Sequence, residues 1–596
     1  MSSPSCASPS RPLSTALVLL ALWPTIAVGG AVAADAHTEG PADFVLTGGR
    51  VVTLDDRGTI ASAVAIRAGR IVHVGDDAAA AALAGPETVR YDAAGRTVIP
   101  GLNESHVHVV LAATAEAGQP FRQLGSIAEI QEWVRQRAAA LPAEEWVLLP
   151  RIDVTRIRER RLPTRADLDA AAPGRAAAFV WQYANRHVQM LSSAALAAAG
   201  ITKDTPDPAG GRIVRGADGA PTGALENCAA LTKRWLDRPP PAREAVLERM
   251  AELMGRYAEL GITSIVDRRT DVAGWRAFEA LKAAGRLPVR ASVAIWIEGD
   301  GTAAGTERFI RGLPFGPREG DEHLRAGPLK FGVDGGVLYG TAYLREPYGE
   351  QAFGLYGIDD PEYRGLLQMT SEQVRDVVGT GHRLGWPMCA HVTGDAGVDI
   401  VLDAVEAADR DAPIADRRFT LLHAYFPSPE TAARCRRLGV CIDTQPAWYY
   451  KDGDVLADAL GGARLSRFLG LRIWLDAGLP VAINADHIMG FDPDLSLNPF
   501  NPFLTMATAI TRKTESGRVF GPDQRVSREE ALKMMTVWPA WTTFEERDKG
   551  TLEVGRLGDL AVLSDDFFAC PEERIAKIRS VLTVVGGRVT HRVRDR

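Results

Sequence analysis

Cysteine is scarce in this chain, positive charge is nowhere concentrated, and only one stretch is continuously apolar. Six cysteines in 596 residues cannot supply the dense bridging on which small secreted folds depend. Lysine and arginine number 68 against 75 aspartates and glutamates, for a net charge of −7. No basic block stands out, which argues against a nucleic-acid surface. Beyond the N-terminus no segment is long and apolar enough to span a bilayer. What remains is 46% hydrophobic and 24% charged, proportions that exclude a disordered chain or a fibre. The length exceeds one simple core, so a large barrel with additions, or several domains, is expected.

The apolar run extends from Leu13 to Trp23, is preceded by Arg11, and is followed by small residues ending in Ala31-Val32-Ala33-Ala34. This reads as a secretory signal peptide over residues 1–34, cleaved near Ala33 or Ala34, which places the mature protein in the periplasm or outside the cell. Pro24 and the Gly29-Gly30 pair interrupt the run too early for a membrane anchor, and no cysteine follows it as a lipoprotein would need. Cleavage removes Cys6 and leaves Cys228, Cys389, Cys435, Cys441 and Cys570, an odd set in which at least one thiol stays free or pairs between chains.

Alternating patterns mark strands at both ends of the mature chain. Asp43 to Leu54 and Ala63 to Gly75 read as hairpins; Asp559 to Leu563 and Val581 to Val589 do the same near the C-terminus. Residues 41–99 and 546–596 are therefore expected to form one small β-sandwich from both termini. Between them, over 100–545, apolar runs alternate with helical stretches: Val98–Leu102, Thr263–Val266, Arg290–Ile297, Leu329–Val333, Met388–His391, Phe419–His423, Val440–Thr444 and Val481–Ala485. Eight such runs predict an α/β protein with a parallel (β/α)8 TIM barrel. The stretch of about 121–245 holds more strand and loop signals than one crossover needs and reads as a large insertion near the barrel mouth.

The chemistry-bearing residues fall at the ends of these runs. His106 and His108 are one residue apart after an apolar strand, and positions i and i+2 of a strand share a face. His391, His423 and Asp486 end the fifth, sixth and eighth runs, and Lys330 and Asp334 lie on the fourth. A single H-x-H or a lone strand-end histidine is as well explained by core packing. Four histidines and one aspartate in barrel order point to a divalent metal centre.

This set resembles the metal-dependent amidohydrolase superfamily, and within it the amidohydrolase 3 group of N-substituted formamide deformylases and YtcJ-like hydrolases. The motifs are Pro100-Gly101, Glu104-Ser105-His106 and His108; Arg186-His187, Asp207-Pro208, Gly210-Gly211 and Pro221-Thr-Gly223 in the insertion; Lys330 with Asp334-Gly335; His391 with Gly394-Asp395; and the single residues His423 and Asp486. The resemblance implies that His106, His108, His391, His423 and Asp486 surround one or two divalent ions, zinc first with iron or manganese as alternatives. Lys330 stands where related enzymes carry a bridging N6-carboxylysine; the alternative is a Lys330–Asp334 salt bridge beside a single ion. His187 would polarise a substrate oxygen or pack a loop, Asp395 would orient His391, and His487 would touch substrate or support the site. Trp448-Tyr-Tyr450 would form an apolar substrate wall or pack in the core. Two positions depart from the pattern: Glu104 replaces the usual aspartate, and Asn484-Ala485-Asp486-His487 replaces the usual G-S-D.

The implied activity is hydrolysis of a non-peptide C–N bond in an amide, formamide or cyclic amide, with Asp486 as proton shuttle. Ester, lactone or carbamate cleavage would use the same groups, and a non-catalytic secreted binding protein could keep the fold. The expected partner is a small-molecule substrate, with no nucleic acid, no membrane span once the signal is removed, and a homodimer among the allowed assemblies. N-terminal sequencing of exported protein is expected to begin at or just after Ala33 or Ala34. An intact Met1 on mature intracellular protein would overturn the export assignment.

Overall fold

The computed structural model describes residues 40–593 except 184–185, 209–210, 238 and 359, and leaves the side chains of 181–187 undescribed. The expected signal peptide lies outside the described residues. The elements below all belong to the unit Pro41–Arg596.

Eight parallel strands form the central sheet: β1 (Leu102–Val107), β2 (Ile262–Thr270), β3 (Arg290–Trp296), β4 (Leu324–Gly332), β5 (Met388–Val392), β6 (Thr420–His423), β7 (Cys441–Thr444) and β8 (Val481–Ile483). They lie side by side in sequence order, as a (β/α)8 barrel requires. Strands β5 to β8 are short and almost wholly buried, the signature of parallel strands covered on both faces. The helix Arg243–Glu259 shows how the outer ring is laid down. It buries Met250, Leu253, Met254, Tyr257 and Ala258, a spacing that keeps one apolar stripe against the sheet.

The barrel closes between β8 and β1. Val107 and His487 form a parallel bridge, and the His108 amide donates to the His487 carbonyl at 2.9 Å. Two side chains continue the seam: the Ala485 amide donates to Glu104 Oε1 at 2.6 Å, and Asn484 Nδ2 donates to Ser105 Oγ at 3.0 Å.

The first barrel strand is not the expected Val98–Leu102. Thr97–Pro100 pairs with Arg50–Val52 and Leu560–Leu563 in the small domain, and β1 begins at Leu102. Gly101 is the pivot: a Cβ there would meet Thr263 Oγ1 at 2.1 Å, so the chain can pass from one sheet to the other only without a side chain. An apolar run does not say to which of two adjacent sheets it belongs. The polar trio Asn103-Glu104-Ser105, which breaks the run, is almost fully buried.

The small domain is a β-sandwich. Its four-stranded sheet has the order Arg70–Gly75, Ala63–Arg67, Ala42–Thr47, Ala84–Asp92. Its six-stranded sheet has the order Arg588–Arg592, Ser580–Val585, Leu560–Leu563, Thr97–Pro100, Arg50–Val52, Ile60–Ala61. Phe44, Leu46 and Ile66 of the first pack on Val98, Val562 and Leu582 of the second, alternate residues facing inward as in any sandwich. The insertion carries a five-stranded sheet, Val147–Leu148 at one edge and Arg212–Arg215 at the other, with separate apolar clusters around Ile130 and Phe179 and around Trp146 and Leu225. A second elaboration, unanticipated in the sequence, follows β4: residues 335–369 bring Tyr348 and Tyr356 against Tyr425 and Trp448. The five cysteines after Cys6 are free and buried.

Barrel and sandwich share a buried ion pair. Arg290 at the start of β3 donates to both carboxylate oxygens of Asp559, at 2.8 and 2.9 Å, and both side chains are almost fully buried. Removing one partner of such a pair leaves a desolvated charge without compensation. Asp559→Ala is therefore expected to destabilise the protein by about 3–5 kcal/mol, read as a lowered thermal or denaturant midpoint. An unchanged midpoint would contradict this coupling.

Candidate metal centre and substrate cavity

The C-terminal ends of the barrel strands bring the candidate ligands together. The rings of His106 and His108 lie 5.2 Å apart, those of His106 and His423 5.3 Å, and those of His391 and His423 4.5 Å. Asp486 Oδ1 is 3.1 Å from His108 Nε2 and 3.4 Å from His106 Nε2. Lys330 Nζ is 3.2 Å from His106 Nε2. The donor atoms of His106, His108 and Asp486 all fall within 4.8 Å of one another.

Supporting side chains fix which nitrogen each ring presents. His106 Nδ1 lies 3.2 Å from Asp443 Oδ1, so Nδ1 carries the proton and Nε2 turns its lone pair toward Asp486 and Lys330. His423 Nδ1 lies 2.7 Å from Gln445 Oε1 and likewise donates, leaving Nε2 as an acceptor with no partner in a buried place. An orphaned imidazole lone pair beside two more imidazoles and a carboxylate fits a divalent cation, since borderline metals take N and O donors in such mixed sets. The carboxylate–histidine pairing is the arrangement that orients ligands around metals.

Asp443 was not singled out in the sequence. It sits on β7, also accepts from Arg268 at 3.2 Å, Asn484 at 2.8 Å and Gln445 at 3.2 Å, and so ties β1, β2, β7 and β8 to one carboxylate. Its only signal was a charge within the short apolar run Val440–Thr444.

Electrostatics keep the cluster in ligating form. Burial drives the imidazoles of His106 and His391 well below their usual range and that of His423 to about 4, so all three are neutral at pH 7. Burial also brings the Lys330 amine down to about 8. Burial alone would raise Asp486, but the hydrogen bond from His108 and the neighbouring Lys330 ammonium outweigh it and keep its pKa below the ordinary value. Glu104, buried and with one oxygen unpartnered, is pushed to about 8; it spans the seam in place of the usual aspartate.

The backbone at these positions is held in unusual conformations. His423 and Asp486 adopt φ of 77° and 52°, left-handed values that cost a non-glycine residue on the order of 1–3 kcal/mol and persist only where the surroundings enforce them. Asn484 Oδ1 accepts from the Asp486 amide at 3.1 Å; Asn498 Nδ2 donates to the carbonyls of Ala485, at 2.6 Å, and Asp486.

Other expectations resolve differently. Asp395 accepts from the Arg345 amide at 2.8 Å, not from His391; it is Asp334 that secures the turn after His391, accepting from the amides of Thr393 and Gly394, each at 2.8 Å. Asp334 also accepts from the Tyr343 amide at 2.8 Å, which commits it to backbone rather than to a salt bridge with Lys330. Gly394 is glycine because a Cβ would strike the Tyr343 carbonyl at 2.0 Å. His487 is fully buried, 2.7 Å from Tyr257 OH and 2.6 Å from the Gly490 carbonyl, so it packs and does not face substrate. Of Trp448-Tyr-Tyr450 only Trp448 lines the cavity; its Nε1 donates to Asp486 Oδ2 at 3.1 Å. His187 is on the strand Arg186–Leu191, but its side chain lies outside the described residues.

Above the cluster is a cavity of about 700 Å³, ample for a small-molecule substrate. The barrel contributes its floor, through His108, Lys330, His391, His423 and Asp486; the insertion contributes Leu149, Ile152 and Phe179 to its roof.

A closed parallel barrel with this donor set at its C-terminal mouth defines a hydrolase of the metal-dependent barrel class. Comparison with known proteins then narrows the class. The model of the amidohydrolase family matches residues 90–591; the chain belongs to that family and is a hydrolase acting on C–N bonds other than peptide bonds. It is 28% identical over 553 residues to N-substituted formamide deformylase of Arthrobacter pascens, covering 91% of this chain and 97% of that protein. It is 25% identical over 554 residues to YtcJ of Bacillus subtilis (strain 168), covering 91% and 98%. The fold is shared with an uncharacterized metal-dependent hydrolase from Pyrococcus horikoshii OT3, at a TM-score of 0.65 and 19% identity over 89% of this chain and 99% of that one.

Two substitutions test the centre. His391→Ala should lower bound metal together with turnover; unchanged metal stoichiometry would remove His391 from the ligand set. Asp443→Asn should weaken metal binding by about 10- to 100-fold in chelator competition, and full affinity would exclude its orienting role.

Proposed function

We propose that the protein hydrolyses the C–N bond of a small amide, formamide or cyclic amide, with zinc as the working metal. The observation that carries this reading is the convergence of His106, His108, His391, His423 and Asp486 at the barrel mouth, where all but His106 line the floor of one cavity. The similarity to a formamide deformylase over nearly the whole chain supports it. A divalent cation bound by these residues supplies the Lewis acidity that acidifies water and polarises a carbonyl.

The remaining steps belong to the chain's own groups. Asp486 is ionised and buried, and one of its oxygens is anchored by Trp448. It would take the proton of the attacking water and return it to the leaving nitrogen. Trp448 and the roof residues limit competing water around the reacting bond. Lys330, converted to a carbamate by carbon dioxide, would offer two oxygens to a pair of cations; its place beside His106 supports that role. His187 would stabilise the carbonyl oxygen as charge develops on it. The expected leader places this activity in the periplasm or outside the cell.

A panel of N-formyl and N-acyl amines, matched esters and lactones, given to zinc-loaded protein, tests the reaction class. The highest kcat/KM is expected on the amides; a clear preference for the esters or lactones would reject the assignment. Asp486→Asn should cut turnover by about 10²-fold or more while the protein stays folded and largely metal-loaded. Near-normal turnover with full metal would move the shuttle elsewhere.

A further inference from the structure

The cavity wall holds a cation that the reaction scheme does not use. Arg269 is next to last in β2, where the pairing slips: Asp267 is opposite Val293 and Thr270 opposite Ile295, so that β2 carries an extra residue. Such bulges re-aim side chains beside active sites. Here the slip lets two consecutive arginines serve one site. Arg268 turns inward, almost fully buried, to the Ser105 carbonyl at 2.8 Å and Asp443 at 3.2 Å. Arg269 turns into the cavity. Asp267 holds the slip in place, accepting from the Arg269 amide at 3.2 Å and from the Val110 amide at 3.3 Å.

Arg269 has no anionic partner among the described residues, and its side chain is exposed at the cavity wall. The other cationic side chains of the wall are committed. Arg151 is 3.5 Å from Asp153, and Lys330 adjoins His106. The Arg269 guanidinium carbon is 4.6 Å from the centre of the Trp296 ring. One flat face is thus covered by indole, while the N–H edge is left to a ligand. A guanidinium fork held against a ring matches a planar carboxylate through two parallel hydrogen bonds. Arg269 and His391 line the same cavity, which puts the anion subsite in one chamber with the reacting centre.

We infer that Arg269 is a specificity-determining residue and that the substrate is an anionic amide, carrying a carboxylate a few bonds from the scissile C–N bond. The apolar roof around Ile152 and Phe179 receives an aliphatic or aromatic side group of the same molecule. This rests on the C–N hydrolase reading and adds the charge of the substrate to it.

The test compares N-formylphenylalanine, as both enantiomers, with N-formyl-2-phenylethylamine, which lacks only the carboxylate, on zinc-loaded protein. The better enantiomer is expected to exceed the neutral amide by about 10- to 100-fold in kcat/KM, the range of a charge-assisted bidentate contact. Arg269→Met should bring that ratio to within about threefold of unity, mainly through KM, and Arg269→Lys should restore part of it. Equal or better use of the neutral amide by the wild type, or a preference that survives Arg269→Met, would overturn the inference. Calorimetry with 3-phenylpropionate separates the subsite from the chemistry, because this carboxylate has no bond to cleave. If it binds the wild type at least tenfold more tightly than Arg269→Met while no amide is turned over, the anion subsite stands and the C–N reading falls. If amides are turned over but the two proteins bind it equally, the subsite falls and the reaction class stands.

Discussion

Four imidazoles and a carboxylate packed at the mouth of the barrel must each be told which way to point. In this protein the instruction comes from a small set of buried hydrogen bonds. Asp443 takes the Nδ1 proton of His106 and Gln445 takes that of His423, so both rings turn Nε2 into shared space. Gln445 in turn donates to Asp443 at 3.2 Å, and Arg268 supplies positive charge to the same carboxylate. Without this network, burial would still make the rings neutral, but it would not align their lone pairs. The directional requirement of a metal centre is thus met by residues outside the ligand set.

The barrel makes that network affordable in structural terms. Parallel strands deliver side chains from opposite ends of the sequence to one rim, and the seam between β8 and β1 adds Glu104, Ser105 and Asn484 to it. The left-handed backbone at His423 and Asp486 is strain accepted at the rim so that two ligands can bend inward, and flanking asparagines enforce it at Asp486. The sandwich shares the buried Arg290–Asp559 pair with the opposite end of β3. The insertion closes the space above the rim, so a substrate meets a floor of polar donors and a largely apolar roof.

Much of this was legible in the sequence because its signals are periodic or terminal. Strand-end histidines at His391 and His423 and the spacing of His106 and His108 announce a shared face; the alternating ends of the chain announce a sandwich. What stayed hidden depends on tertiary neighbours. Thr97–Pro100 and Leu102–Val107 read as one strand until Thr263 is seen to exclude a side chain at Gly101. Asp443 and Gln445 look like interruptions of an apolar run, because nothing local says that a histidine from more than 300 residues earlier, His106, will meet them. Asp395 had the motif position but Asp334 has the contacts, since backbone amides of the turn after His391 happen to converge on β4's extension. The turn of Arg269 into the cavity follows from a register slip, which no side-chain pattern encodes.

The central claim is that a cation is held by residues from four separate strand ends. Anomalous diffraction at the zinc edge, from crystals of the zinc-loaded protein, tests it most directly. The account predicts a peak, or a close pair of peaks, enclosed by His106, His108, His391, His423 and Asp486, with Lys330 adjoining. A peak elsewhere in the molecule, or none at full zinc loading, would contradict it.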